Sequence, residues 1–244
     1  IKEDVHLASI SGGTDIVSCF VLGNPNLPVY SGEIQCKGLG MDVDIFDDEG
    51  KHLKGKKGEL VCLTPFPSKP IYFWKDYNNQ KLEKTYFSKY PNIWHHGDFA
   101  EISSNNGIII YGRSDATLNV GGIRIGTSEI YRVVENIIDV HECIAAEQKY
   151  KEDNRVVLFV KLDEKKVLDE DLINLIKSKI KNSLSHKHVP SKILQVSDIP
   201  RTKSAKIVEI TIKKILNNEE ITNINSIINP ECLKEYINRK ELQN

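Results

Sequence analysis

Gly112-Arg-Ser-Asp-Ala-Thr-Leu-Asn-Val-Gly-Gly-Ile-Arg-Ile-Gly-Thr-Ser-Glu-Ile130 is the stretch across which the chain changes texture. Before it, residues 1 to about 112 carry most of the glycines and prolines, with short runs of β-formers at Gly32-Glu-Ile-Gln-Cys36, Met41-Asp-Val-Asp-Ile-Phe46 and Gly58-Glu-Leu-Val-Cys-Leu63. Asp47-Asp-Glu-Gly50, between two of these runs, is a turn signal. This half therefore reads as antiparallel strands and loops. Within the quoted stretch the adjacent Gly121 and Gly122 predict a hairpin turn, which leaves Arg124 as a hairpin arginine. After it, Thr127 or Ser128 supplies an N-cap for a helix carrying Ile130, Tyr131, Val134 and Ile138.

The second half continues as a mixture of helices and strands. Arg155-Val-Val-Leu-Phe-Val-Lys-Leu162 is an apolar run of strand length, which predicts a buried strand. Asp169-Glu-Asp171 precedes Leu172, Ile173, Leu175, Ile176, Ile180 and Leu184, apolar residues at helical spacing. Acids open this segment and lysines follow, as the helix dipole favours. Lys192 to Val196 predicts another strand and Ile207 to Leu216 another helix. The expected class is α+β, with a β-rich unit over 1–114 and a small α+β domain over 115–217. Residues 218–244, rich in Asn and charge, are expected to form a loosely attached tail.

A chain with 40% apolar residues, 27% charged residues and a formal net charge of -1 has an ordinary globular composition, and it lacks the basic excess of a nucleic-acid binder. Its aliphatic runs, such as Ile108 to Ile110, fall far short of the roughly 20 residues that span a bilayer. The cysteines, Cys19, Cys36, Cys62, Cys143 and Cys232, are odd in number and form no C-x-x-C pair, so neither zinc nor a disulfide framework is expected. Reduced thiols and a cytoplasmic setting are expected instead. His95 and His96 lack the ligand spacing of a zinc site and read as loop packing. The chain opens on Ile1 and its only methionine is Met41, so it reads as part of something longer.

Three ordered motifs carry a resemblance: Trp94-His-His-Gly-Asp-Phe99, the quoted 112–130 stretch, and Ile199-Pro-Arg-Thr-Lys-Ser-Ala-Lys206. Together they resemble the adenylate-forming superfamily of acyl-CoA synthetases, peptide-synthetase adenylation domains and luciferases. Ser11-Gly-Gly-Thr-Asp15 is similar to that superfamily's Tyr-Gly-x-Thr-Glu motif, with Asp15 in the Glu position. The resemblance implies the end of a large AMP-binding domain followed by a small mobile domain. It also implies two half reactions, in which a carboxylate and ATP give an acyl-adenylate and pyrophosphate, and the CoA thiol then displaces AMP.

By that resemblance, Thr14 bonds the adenylate phosphate and Asp15 holds Mg²⁺, a hard cation suited to carboxylate oxygen. Asp98 grips the ribose hydroxyls with help from Arg113, and Arg124 lies near the phosphate. Lys206 is the catalytic lysine, whose mobile ammonium neutralises charge developing on carboxylate and phosphate oxygens. Asp115 is the hinge about which the small domain turns, and Gly121 and Gly122 line the pantetheine path. Relatives usually carry Gly where Ala205 stands, so a left-handed backbone there would misplace Lys206.

Val29 to Met41 together with His188-Val-Pro-Ser191 is most similar to the members of the superfamily that act on acetoacetate. Gly12 falls where acetate-activating members carry a tryptophan that closes the acyl pocket, so glycine is expected to leave that volume open. The implied reactants are acetoacetate, ATP and CoA, with Mg²⁺ as the ion. The superfamily's phosphate-binding loop has no counterpart in this sequence, which leaves two hypotheses. The chain is either the C-terminal portion of a ligase, active only with an N-terminal part in the same or a second polypeptide, or a catalytically silent module that holds nucleotide weakly.

Overall fold

Pairing of short strands dominates the first half. The computed structural model describes residues 2–221 and 224–243, and the chain divides between Ser114 and Asp115 into two units. In the first unit, β1 (Ser11–Gly13), β2 (Ser18–Leu22) and β3 (Cys36–Lys37) form one antiparallel sheet. A second antiparallel sheet runs β4 (Val43–Phe46), β5 (Gly58–Cys62), β6 (Trp94–Ile102) and β7 (Ile108–Arg113) in that order. Every residue of β4 and β5 is buried. Ile16, Phe20, Ile45, Leu60, Trp94 and Ile108 meet in one core, and the Asp47–Gly50 turn closes with Gly50 N donating to Asp47 O at 3.1 Å.

Three local expectations change. The 32–36 run contributes only Cys36 to a named strand, while Ile34 makes an isolated bridge to Ile108. Helix α1 (Gln80–Tyr86) was not predicted. Its first turn is satisfied from outside, since Asp76 Oδ2 accepts from Lys81 N at 2.9 Å and Leu82 N at 3.0 Å. His95 and His96 lie on β6 rather than in a loop.

The second unit begins with the hairpin β8 (Leu118–Val120) and β9 (Ile123–Ile125), followed by α2 (Thr127–Val134). Strands β10 (Val140–Tyr150), β11 (Asp153–Leu162) and β12 (Lys192–Gln195) form a sheet in which β10 and β11 are antiparallel and β11 and β12 parallel. Helix α3 (Glu170–Ser183) connects β11 to β12, as a parallel pair requires. Asp169 caps it, its Oδ1 accepting from Leu172 N at 2.8 Å. Helix α4 (Glu209–Leu216) follows.

Period-two geometry explains the apolar run in β11. Val156, Leu158 and Val160 face a core with α2 and α3, while Val157 and Phe159 face a second core with α4. Helix α2 differs from expectation at both ends. Gly126 is its N-cap, the Thr127 hydroxyl donates to Glu209, and Ile138 lies beyond the helix and is exposed.

The expectation of a loosely attached tail is overturned. Cys232, Leu233, Tyr236 and Leu242 are buried in the second core with Ile144, Phe159 and Leu194. Tyr236 packs against Phe159 at 4.6 Å between ring centroids and donates its hydroxyl hydrogen to Asp198 O at 2.8 Å. Arg155, itself buried, donates to Leu242 O at 2.6 Å. The apolar anchors are spaced along short 3-10 turns rather than one periodic helix, so the charge and asparagine content concealed them.

Candidate functional site

The candidate residues fall into two groups, one in each unit. In the first unit, antiparallel register sets Asp98 on β6 opposite Arg113 on β7. Arg113 Nη1 donates to Asp98 Oδ1 at 3.2 Å and to His96 O at 3.0 Å. Gly97, at φ 82, makes room for this arginine, because a Cβ there would come within 2.7 Å of Nη2. Asp98 is buried on β6, and its Oδ2 accepts from Ser11 Oγ at 3.5 Å.

His96 ties β6 to β1. Trp94 Nε1 donates to His96 Nδ1 at 3.4 Å, and His96 Nε2 lies 3.3 Å from Gly12 O. An indole N–H can only donate, so the geometry is that of the neutral tautomer protonated on Nε2. Burial holds the imidazole below the ordinary histidine value, in spite of the nearby Asp98 and Asp15 carboxylates.

Thr14 and Asp15 sit in the exposed β1–β2 turn, where Ile16 N donates to Gly13 O and Val17 N to Thr14 O, both at 3.3 Å. Asp15 Oδ2 accepts a hydrogen bond from Tyr86 Oη. Burial, and after it the Asp15 carboxylate, raise the Tyr86 phenol well above the ordinary tyrosine range. Gly12 does not behave as expected. A Cβ there would meet Ser18 O at 2.2 Å and Cys19 Cα at 2.6 Å, so the backbone of β2 fills the space predicted to be open.

In the second unit, Asp115 is the first residue and lies in a 3-10 turn spanning Ser114–Ala116. Gly121 and Gly122 have φ of 54 and 76, the positive pair that a two-residue I′ hairpin turn demands. Lys187 Nζ would lie only 2.4 Å from a Cβ at Gly121. Arg124 on β9 donates from Nε to Thr117 Oγ1 at 3.0 Å.

Lys206 is exposed at the end of a tight loop. Thr202 N donates to Lys206 O at 2.8 Å, Lys206 N to Thr202 Oγ1 at 3.1 Å and Ala205 N to Thr202 O at 2.8 Å. Ala205 has φ 62, so the left-handed geometry anticipated from the sequence is present. Arg201 holds this geometry, donating to Ala205 O at 2.7 Å from Nη1 and to Glu142 Oε1 at 2.8 Å from Nη2.

Among the described residues no group of three or more His, Cys, Asp or Glu could hold a metal ion. Asp15 nevertheless suits Mg²⁺, which is commonly held by one or two carboxylates with substrate phosphates and water completing its shell. Tyr86, His96 and Arg201 went unnoticed as supporting residues in the sequence. Arg201 lies inside the lysine motif and could have been found there. Tyr86 is 71 residues from Asp15, a separation that no local spacing records.

No protein-family profile matches the chain. It is 52% identical over 243 residues to the acetoacetyl-coenzyme A synthetase of Rhizobium meliloti, with all of this chain and 37% of that protein covered. Along its whole length the chain is similar to acetoacetyl-CoA synthetases. The Gallus gallus acetoacetyl-CoA synthetase is 46% identical over 246 residues, again with 100% of this chain and 37% of the relative covered. The chain thus corresponds to the C-terminal portion of these relatives and spans a little over a third of their length. The solved acetoacetyl-CoA synthetase of Streptomyces lividans superposes with a TM-score of 0.88 at 38% identity, over 94% of this chain and 35% of that one. An anthranilate CoA ligase, at 21% identity and a TM-score of 0.76 over 86% of this chain and 40% of its own, shares the fold.

Proposed function

We propose that this chain is the C-terminal portion of an ATP-dependent acid–thiol ligase that joins acetoacetate to CoA. In the first step a carboxylate oxygen of the acid attacks the α-phosphorus of ATP and pyrophosphate leaves. In the second, the CoA sulfur attacks the acyl carbon of the adenylate, AMP leaves and the thiol proton passes to solvent.

Asp98 accepts from the ribose hydroxyls, and Arg113 fixes its carboxylate through the 3.2 Å contact. Thr14 donates to the α-phosphate. Asp15 holds Mg²⁺, which when bound neutralises phosphate charge. Arg124 and Lys206 supply positive charge in the adenylating arrangement. Rotation about Asp115 then withdraws Lys206 and brings the Gly121–Gly122 turn to the pantetheine. The acid is inferred from the relatives alone, since the Gly12 backbone contacts give it no support.

The observation that carries this reading is the Asp98–Arg113 pair, a buried carboxylate gripped by an arginine across two strands, in a chain 52% identical to an acetoacetyl-CoA synthetase. Its test uses a polypeptide joining this chain to the remaining portion of the relatives. Lys206→Ala should slow acetoacetate-dependent exchange of pyrophosphate into ATP by roughly 100-fold or more. CoA transfer to supplied acetoacetyl-adenylate should change far less. Equal losses in both steps would reject the role given to Lys206. The chain alone should catalyse no exchange. A silent nucleotide-holding module is the second reading, favoured by the strained Ala205 beside the lysine. Absence of thioester formation by the joined polypeptide, with AMP still bound, would select it.

A further inference from the structure

Asp15 is one methylene shorter than the glutamate of the motif it resembles, and it projects from an exposed turn. A carboxylate so placed must be held if it is to meet an ion in one orientation. The structure provides such a hold from a distant element. Tyr86, the last residue of α1, donates its hydroxyl hydrogen to Asp15 Oδ2. Oδ1 accepts no hydrogen bond among the described residues and faces Gly13, where a Cβ would lie 2.0 Å from it. One oxygen is therefore held by the phenol, while the other accepts no hydrogen bond among the described residues and occupies the room left by the missing Gly13 side chain.

The tyrosine is itself rigid. Its ring stacks on Trp94 with centroids 3.7 Å apart and planes at 15°, and Phe73 meets it edge-on at 5.9 Å. Trp94 donates in turn to His96, whose backbone carbonyl accepts from Arg113. The ring that orients Asp15 thus rests on the same strand that carries Asp98, so both carboxylates share one frame.

We propose that Tyr86 is a positioning residue that orients Asp15 for a divalent cation bound with the nucleotide triphosphate. The proposal rests on the reading of Asp15 as the cation's carboxylate ligand. Removing a side chain that orients a metal ligand typically weakens metal affinity by 10- to 100-fold. Phenylalanine at position 86 keeps the ring stack and loses only the donor.

The experiment measures Mn²⁺ binding by electron paramagnetic resonance, with ATP present, in the joined polypeptide. Tyr86→Phe should raise the Mn²⁺ dissociation constant about tenfold and leave metal-free AMP binding unchanged. In an Asp15→Asn background the same substitution should add nothing. An unchanged constant in Tyr86→Phe, or an equal loss in both backgrounds, overturns the proposal. If Asp15→Asn alone leaves Mn²⁺ affinity intact, the ligand reading of Asp15 fails and the proposal falls with it. Should Tyr86→Phe not fold, Gly13→Ala displaces the same carboxylate from its other side and must weaken Mn²⁺ binding comparably; failure to do so is also fatal.

Discussion

Ala205 carries a conformational cost beside the residue assigned to catalysis. A left-handed backbone crowds a Cβ and costs roughly 1 to 2 kcal/mol for a non-glycine residue, yet Arg201 and Thr202 hold the loop there. Glycine would relieve the crowding while losing roughly 0.5 to 1 kcal/mol to a freer unfolded chain. Ala205→Gly should therefore raise stability by about 0.5 to 1 kcal/mol, read from the urea midpoint of this chain. A lowered midpoint would mean that the loop relaxes around alanine at no cost. Resemblance signalled this position, because relatives usually carry glycine there and glycine is so strongly tied to positive φ. No comparable signal marks the close approach at Gly12, where φ is ordinary and the need for glycine comes from a neighbouring strand.

Among elements, legibility followed burial on both faces. Strand β11 could be read because its central residues are apolar whichever side they face, whereas β10 was missed because Glu142, Glu147, Gln148 and Lys149 interrupt its pattern. Glu147 is buried all the same, accepting from Asn119 N and pairing with Lys213 at 3.3 Å. Helix α4 begins with a half-buried carboxylate. Glu209 accepts from Thr127 Oγ1 at 3.1 Å and Tyr131 Oη at 3.2 Å, and burial raises its carboxyl above the ordinary glutamate value in spite of those donors. A carboxyl raised in the folded state contributes stability that is fully present below its unfolded pKa and is lost as pH rises through the folded one. Glu209→Gln keeps an acceptor and removes the charge, so the variant should gain stability over wild type near pH 7. The advantage should vanish below about pH 4, the ordinary glutamate range. Thermal midpoints across that interval provide the check, and a variant less stable at pH 7 would show that the charged form is the favoured one. In the site, the motif residues were legible by resemblance, while Tyr86 became visible only once α1 was folded against β6.

Over the whole molecule, the second unit closes on both faces of one sheet with covers from different parts of the sequence. Residues 224–243 belong to that closure, and Tyr236 is 1% exposed within it. Tyr236→Ala should cost about 3 to 5 kcal/mol, the usual range for truncating a buried aromatic, and should leave the first unit folded. Chemical denaturation followed by Trp74 and Trp94 fluorescence for the first unit, and by far-ultraviolet circular dichroism for both, separates the two outcomes. A loss under 1 kcal/mol would mean that the segment rests on the core without stabilising it. The order of these covers also matters while the chain is being made. Helices α2 and α3 have left the ribosome by the time β12 is complete, so one face of the sheet can close at once. Ile144, Phe159 and Leu194 on the other face must wait for α4 and then for residues up to Leu242. At about 5 to 20 residues per second that wait is on the order of seconds. For that interval the nascent chain displays an apolar sheet face to the cell, the natural point for a chaperone to engage it or for a neighbouring nascent chain to stick.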